Sequence, residues 1–119
     1  MPSQFDSATI ERIARRLKAL ADASRLSMIH CLCDGERSVT ELVERTGLGQ
    51  ANVSKHLRIL REEGFVLSRR SSRNVYYRVS DSLPEDICMI VCKSMKEKAA
   101  GDRRLLERYM DRKRSRRAG

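Results

Sequence analysis

Along the first part of the chain, apolar side chains recur at the spacing of one helical face. Ile10, Ile13, Ala14, Leu17, Leu20 and Ala21 fall on one side, with Glu11, Arg12, Arg15, Arg16 and Lys18 on the other, which predicts an amphipathic first helix. Asp6 or Ser7 stands where its N-cap belongs. Asp22 can cap a second helix running to about Cys33, with Leu26, Ile29, His30 and Cys33 sharing a face and Gly35 stopping it. Thr40 to about Thr46 predicts a short third helix closed by Gly47, and Gln50 to Glu63 a fourth closed by Gly64. Two short helices joined around Gly47-Leu48-Gly49 make a helix-turn-helix.

After Gly64 the period changes from helical to twofold. Val66 to Arg70 and Val75 to Val79 are rich in β-formers and flank Ser71-Ser72-Arg73-Asn74, a β-hairpin with a four-residue polar tip. Ser82 and Glu85 fit a capping box and Pro84 suits a first helical turn, so a last helix begins near Leu83. Its segment Ile87 to Cys92 is apolar on every side. One small core cannot cover such a helix, which points to a second subunit against it. Ala99-Ala100-Gly101-Asp102 is expected to loosen the helix before Leu105, Leu106, Tyr109 and Met110 resume an apolar stripe. The order α-α-α-α-β-β-α describes a mainly α fold with a β-hairpin wing, a winged helix-turn-helix over residues 1–110, followed by a basic tail over 111–119 expected to be disordered.

Length and charge narrow the partners. The 119 residues suffice for one domain with a real core. The net charge of +9 attracts polyanions, although eight of the cations lie between Arg103 and Gly119 against only Glu107 and Asp111. No apolar stretch approaches the roughly 20 residues that cross a bilayer, and the N-terminus lacks a signal-peptide pattern, so a cytoplasmic location is expected. There the four cysteines, Cys31, Cys33, Cys88 and Cys92, are reduced by default. They read as packing residues, soft-metal ligands or redox sensors rather than as a disulfide framework.

The fourth helix carries the candidate chemistry. Val53, Leu57 and Leu60 fall on one side, and Ala51, Ser54, Lys55 and Arg58 on the other, with Gln50 and Asn52 in the first turn. This suits entry into a major groove: Gln50, Asn52 and Ser54 at base edges, Lys55 and Arg58 at phosphates. His56, at the edge of the buried side, suits either a base edge or a phosphate. The hairpin carries Arg69, Arg70 and Arg73, which can approach the adjacent minor groove or backbone. Each feature alone could be an ordinary solvated surface, but the connected pattern of short helix, turn, polar-fronted helix and basic hairpin favours double-stranded DNA.

Several stretches resemble the ArsR/SmtB family of metal- and stress-responsive repressors. They are Leu17-Lys18-Ala19-Leu20-Ala21-Asp22-Ala23-Ser24-Arg25-Leu26, Ser38-Val39-Thr40-Glu41-Leu42, the run from Val53 to Gly64, and Val75-Tyr76-Tyr77-Arg78-Val79. The resemblance covers roughly residues 8 to 95. It implies a homodimer through the first and last helices, seated on a palindromic operator and released when an inducer binds. Gly49 stands where the family commonly has a Ser cap, a difference of a few tenths of a kcal/mol.

The resemblance does not fix the inducer. The thiolate pair of arsenic and cadmium/lead sensors would fall in Arg37-Ser38-Val39-Thr40-Glu41-Leu42, which has no cysteine. The zinc or nickel site of the last helix needs histidines, and the only two are His30 and His56. Cys88 and Cys92, spaced i, i+4, remain as a half-site for As(III), Cd(II) or Zn(II), completed by Cys31, Cys33 or a second subunit. Thiol chemistry between the second and last helices is an alternative, with no metal at all. Family members that sense reactive sulfur place cysteines on these two helices, but their second-helix cysteine aligns with His30 here. Simple packing is the third reading. Nothing assembles a nucleophile, base and oxyanion site, so no catalysis is expected. A winged-helix interaction or RNA-binding module would bind without regard to DNA sequence, and a cysteine-nucleophile enzyme would require an exposed thiol of depressed pKa.

Overall fold

The computed structural model describes residues 4–118, which form five helices and a three-stranded antiparallel sheet. Helix α1 (Ser7–Leu20) starts where Asp6 accepts the Thr9 N–H at 2.8 Å. Its expected apolar stripe is present but uncovered in the single chain: Ile10, Ile13 and Leu17 are 50%, 40% and 47% exposed, and only Ala19 and Leu20 are buried. Helix α2 (Ala23–Leu32) is capped by Asp22, which accepts the Arg25 N–H at 3.1 Å. Its buried side differs from the expected face. Met28, Ile29 and Leu32 are buried, whereas His30 and Cys33 are exposed. Because α2 packs on both α3 and α4, its inward direction lies between the two neighbours rather than along a single stripe.

A short strand, β1 (Arg37–Ser38), precedes α3 and pairs antiparallel with β3 in a sheet ordered β1-β3-β2. Two residues leave no readable period, so the sequence pattern shows only the hairpin. Ser38 then caps α3 (Val39–Thr46) in a full capping box: Ser38 Oγ accepts the Glu41 N–H at 3.2 Å, and Glu41 Oε1 accepts the Ser38 N–H at 3.2 Å. Gly47, at φ 73°, turns the chain in the left-handed region. After it comes α4 (Gln50–Glu62), whose Gly49 N-cap has no side chain to bond the first turn.

Strands β2 (Val66–Ser71) and β3 (Asn74–Val79) pair from Val66↔Val79 to Ser71↔Asn74. The tip is therefore two residues, Ser72 and Arg73, not four. Ser72 carries the positive φ of 56° that the tight turn requires. Leu42, Val53, Leu57, Leu60, Phe65, Val66, Met28 and Leu32 are all buried to within 1% and form the core beneath α4 and the hairpin.

Helix α5 (Leu83–Ala118) opens where Asp81 accepts the Leu83 N–H at 2.9 Å. It runs without a break through 99–102, where loosening was expected, and through 111–118, expected to be a disordered tail. The sequence permits this. Ala99 and Ala100 offset the roughly 1 kcal/mol helix penalty of Gly101, arginine and lysine are good helix formers, and Asp111 pairs with Arg114 at 3.7 Å one turn on. The chain forms two compact units, residues 1–85 and 86–119. In the second unit Met89, Ile90, Val91 and Met95 are 51–68% exposed. Among the described residues no helix is long and apolar enough to cross a membrane.

Candidate nucleic-acid interface

Helix α4 is held on one side by Val53, Leu57 and Leu60, each at most 1% exposed. The 3.6-residue period then turns Ser54, Lys55 and Arg58 to solvent together on the opposite side. Gln50 and Asn52 are exposed in the first turn, so all five residues expected at bases and phosphates are open to solvent. With Ser54 short and Lys55 and Arg58 long, the open face offers hydrogen-bonding groups near the helix N-terminus and cations beyond.

His56 lies apart from that face. It is half-buried, with Nδ1 3.2 Å from Arg25 Nη1. The sequence places it at a base edge or a phosphate; in the single chain its Nδ1 contact is with Arg25. Arg25 itself is anchored by donating to the carbonyl oxygens of Ala19 at 2.5 Å and Lys18 at 3.4 Å. The Arg25 N–H bond draws the Asp22 carboxyl below its ordinary value; desolvation opposes this, and the Arg25 charge adds to the lowering.

The wing arginines separate into two kinds. Arg69 Nε donates to Glu36 at 2.8 and 3.0 Å, and its guanidinium lies 5.0 Å from the Tyr76 ring centre. Glu36 raises the Arg69 pKa and balances its charge, so in the single chain Arg69, expected at the minor groove or backbone, fastens β2 to the turn before β1. Arg70 and Arg73 are exposed near and at the tip. Sequence reasoning missed Glu36 and Arg25 because each acts on a residue more than thirty positions away. Arg37 was missed too. It donates to Asp34 at 3.1 Å and to the Cys31 carbonyl at 3.4 Å, with Glu41 3.5 Å away, and so ties the end of α2 to the start of α3.

The cysteines fall in different units. Cys31 is half-buried and Cys33 exposed at the end of α2, while Cys88 and Cys92 are both exposed on α5. In the single chain three of the four are thus not core packing residues. Among the described residues no group of three or more His, Cys, Asp or Glu is placed to hold a metal ion.

A capped helix pair, a polar-fronted second helix and a basic hairpin beside it define a winged helix-turn-helix regulatory module. Residues 22–68 match the model of the bacterial regulatory protein arsR family. The chain is 39% identical over 77 residues to the "Probable mercury resistance operon repressor" of Streptomyces lividans, covering 65% of this chain and 62% of that protein. It is 36% identical over 81 residues to the biofilm growth-associated repressor of Agrobacterium fabrum, covering 68% of each. The solution structure of the homodimeric winged helix-turn-helix DNA-binding domain Mb0332 from Mycobacterium bovis superposes with a TM-score of 0.68 at 31% identity, covering 83% of this chain and 94% of that one. The chain belongs to the arsR family of bacterial regulatory proteins.

Proposed function

We propose that this protein is a cytoplasmic homodimeric repressor that binds a palindromic DNA operator through α4 and the wing. The observation that carries this reading is the open Ser54-Lys55-Arg58 face, with Gln50 and Asn52 exposed in the first turn, opposite a fully buried Val53-Leu57-Leu60 side. Gln50, Asn52 and Ser54 meet base edges, Lys55 and Arg58 meet phosphates, and Arg70 and Arg73 meet the backbone or minor groove beside them. The uncovered stripes of α1 and α5 supply the dimer contacts; the similar Mycobacterium bovis domain is homodimeric.

The inducer is a thiophilic species acting at Cys88 and Cys92, either a soft metal(loid) ion such as As(III), Cd(II) or Zn(II) or a reactive-sulfur or oxidising agent. Their exposure on one face of α5 supports this, as does the name of the mercury-resistance relative. A metal would take two thiolates from α5 and its remaining ligands from elsewhere in the dimer. The experiment is selection of bound duplexes from a randomised library, followed by titration of the complex with each metal and with a polysulfide donor. A recovered palindrome with half-sites about one helical turn apart, released by one of these reagents in wild type but not in Cys88→Ser/Cys92→Ser, is the expected result. Recovery of no preferred sequence contradicts the operator reading. Release that persists in the double variant contradicts the assignment of the thiols.

A further inference from the structure

We infer that Arg25 and His56 form a clasp that fixes the rotation of α4 about its own axis and ties it to the end of α1, making both positioning residues for DNA reading. The inference rests on the DNA-binding role proposed above and adds to it how the reading helix is held. The Arg25 side chain is only 14% exposed and engages three elements at once. Its Nε and Nη2 bond the Ala19 and Lys18 carbonyls in the last turn of α1, and Nη1 lies 4.0 Å from Asp22 Oδ2 at the cap of α2. Nη1 also reaches Nδ1 of His56 on α4 at 3.2 Å. A guanidinium has donors and no acceptor, so His56 Nδ1 accepts here and the ring proton sits on Nε2. A lysine ammonium in place of the planar fork cannot hold these directions together.

The apolar contacts of Val53, Leu57 and Leu60 set how close α4 lies to the core but carry no directional bond. Side-chain tips stand about 5–6 Å from a helix axis, so a roll of about 20° moves the end of Ser54 by about 2 Å. That displacement breaks a base contact, since hydrogen bonds weaken beyond about 3.2 Å. The clasp resists such a roll at the position next to Lys55. A second tie supports it: the Arg16 guanidinium on α1 lies 4.6 Å from the ring centre of Phe65, whose N–H bonds the Leu60 carbonyl at 2.9 Å. Helix α1, which bears the uncovered Ile10-Ile13-Leu17 stripe, is thereby joined at two points to the helix that presents the polar face. Movement of α1 at a subunit interface reaches α4 through Arg25 and Arg16.

The test uses the full chain with Arg25→Lys, His56→Phe and His56→Asn. Phenylalanine keeps the size of the ring and loses the acceptor, and the asparagine oxygen sits close to where Nδ1 was. The readouts are affinity for the best duplex selected by wild type and for a shuffled duplex, with melting temperature and solution mass as controls. Arg25→Lys and His56→Phe are expected to lower the ratio of the two affinities at least about tenfold while binding to the shuffled duplex persists. His56→Asn should recover most of the ratio. A role limited to stability would move both affinities together and leave the ratio unchanged, and unchanged ratios in Arg25→Lys and His56→Phe overturn the proposal. Independently of DNA, nitrogen NMR of the wild-type imidazole should show the proton on Nε2, and amide exchange in α4 should quicken in His56→Phe; a ring protonated on Nδ1 overturns the clasp. If wild type selects no sequence, the operator reading has failed, and the NMR and exchange arms still decide the clasp.

Discussion

At the scale of single residues, the wing shows why a count of cations misleads. Arg69, Arg70 and Arg73 are alike in sequence, yet the first is spent inside the molecule on Glu36 and the other two are open. Each of Arg70→Ala and Arg73→Ala is therefore expected to reduce the salt slope of DNA binding by about 1, affecting all sequences alike. Arg69→Ala should instead loosen the hairpin. Faster amide exchange in β2 with little change in salt slope is its signature, and a slope change equal to that of Arg73→Ala would show that Arg69 leaves Glu36 for the phosphates. The exposed face of α4 was legible beforehand because burial of Val53, Leu57 and Leu60 at helical spacing determines what faces out. The partners of His56 and Arg69 were not, since a contact between α2 and α4, or between β2 and the turn before β1, exists only once the chain has folded.

At the scale of elements, polar caps define the boundaries. Asp6, Asp22 and Ser38 each bond a backbone N–H in the first turn of their helix, and Ser38→Ala is expected to cost about 1 kcal/mol in urea unfolding at neutral pH. The carboxyls of Asp6, Asp22, Asp34 and Glu41 are all held below their ordinary values. The causes are the Thr9 side chain, the Arg25 N–H, the Arg37 guanidinium and the Ser38 N–H respectively. A carboxyl lowered in the folded state contributes stability that is present above its unfolded pKa and lost as pH falls through the folded one. Unfolding midpoints should thus be flat near neutrality and drop below the ordinary carboxylate range, and Glu41→Gln should blunt that drop. Midpoints that rise on acidification would contradict these assignments. The third helix was expected from Thr40, and the Ser38-Glu41 capping box that starts it at Val39 was missed although its three-residue spacing is present in the sequence; β1 could not be read at all, because a two-residue strand is defined by its pairing with Tyr76 and Tyr77 and not by any pattern of its own. The unbroken α5 shows the opposite error: Gly101 suggests a break, but its neighbours are strong helix formers.

At the scale of the whole molecule, apolar stripes on α1 and α5 are left uncovered by the chain that bears them. Ile13→Glu or Ile90→Glu should convert a dimer to monomers in sedimentation at micromolar concentration, with the Met1–Glu85 fold retained by circular dichroism. A monomeric wild type would contradict the dimer. The central claim is that the α4 face reads sequence, and equilibrium binding of wild type and Gln50→Ala/Ser54→Ala to the best selected duplex and to a shuffled one tests it most directly. The account predicts that the double variant loses discrimination by about 1–3 kcal/mol per base contact removed while binding to the shuffled duplex stays near that of wild type. A double variant that prefers the selected duplex as strongly as wild type would contradict it.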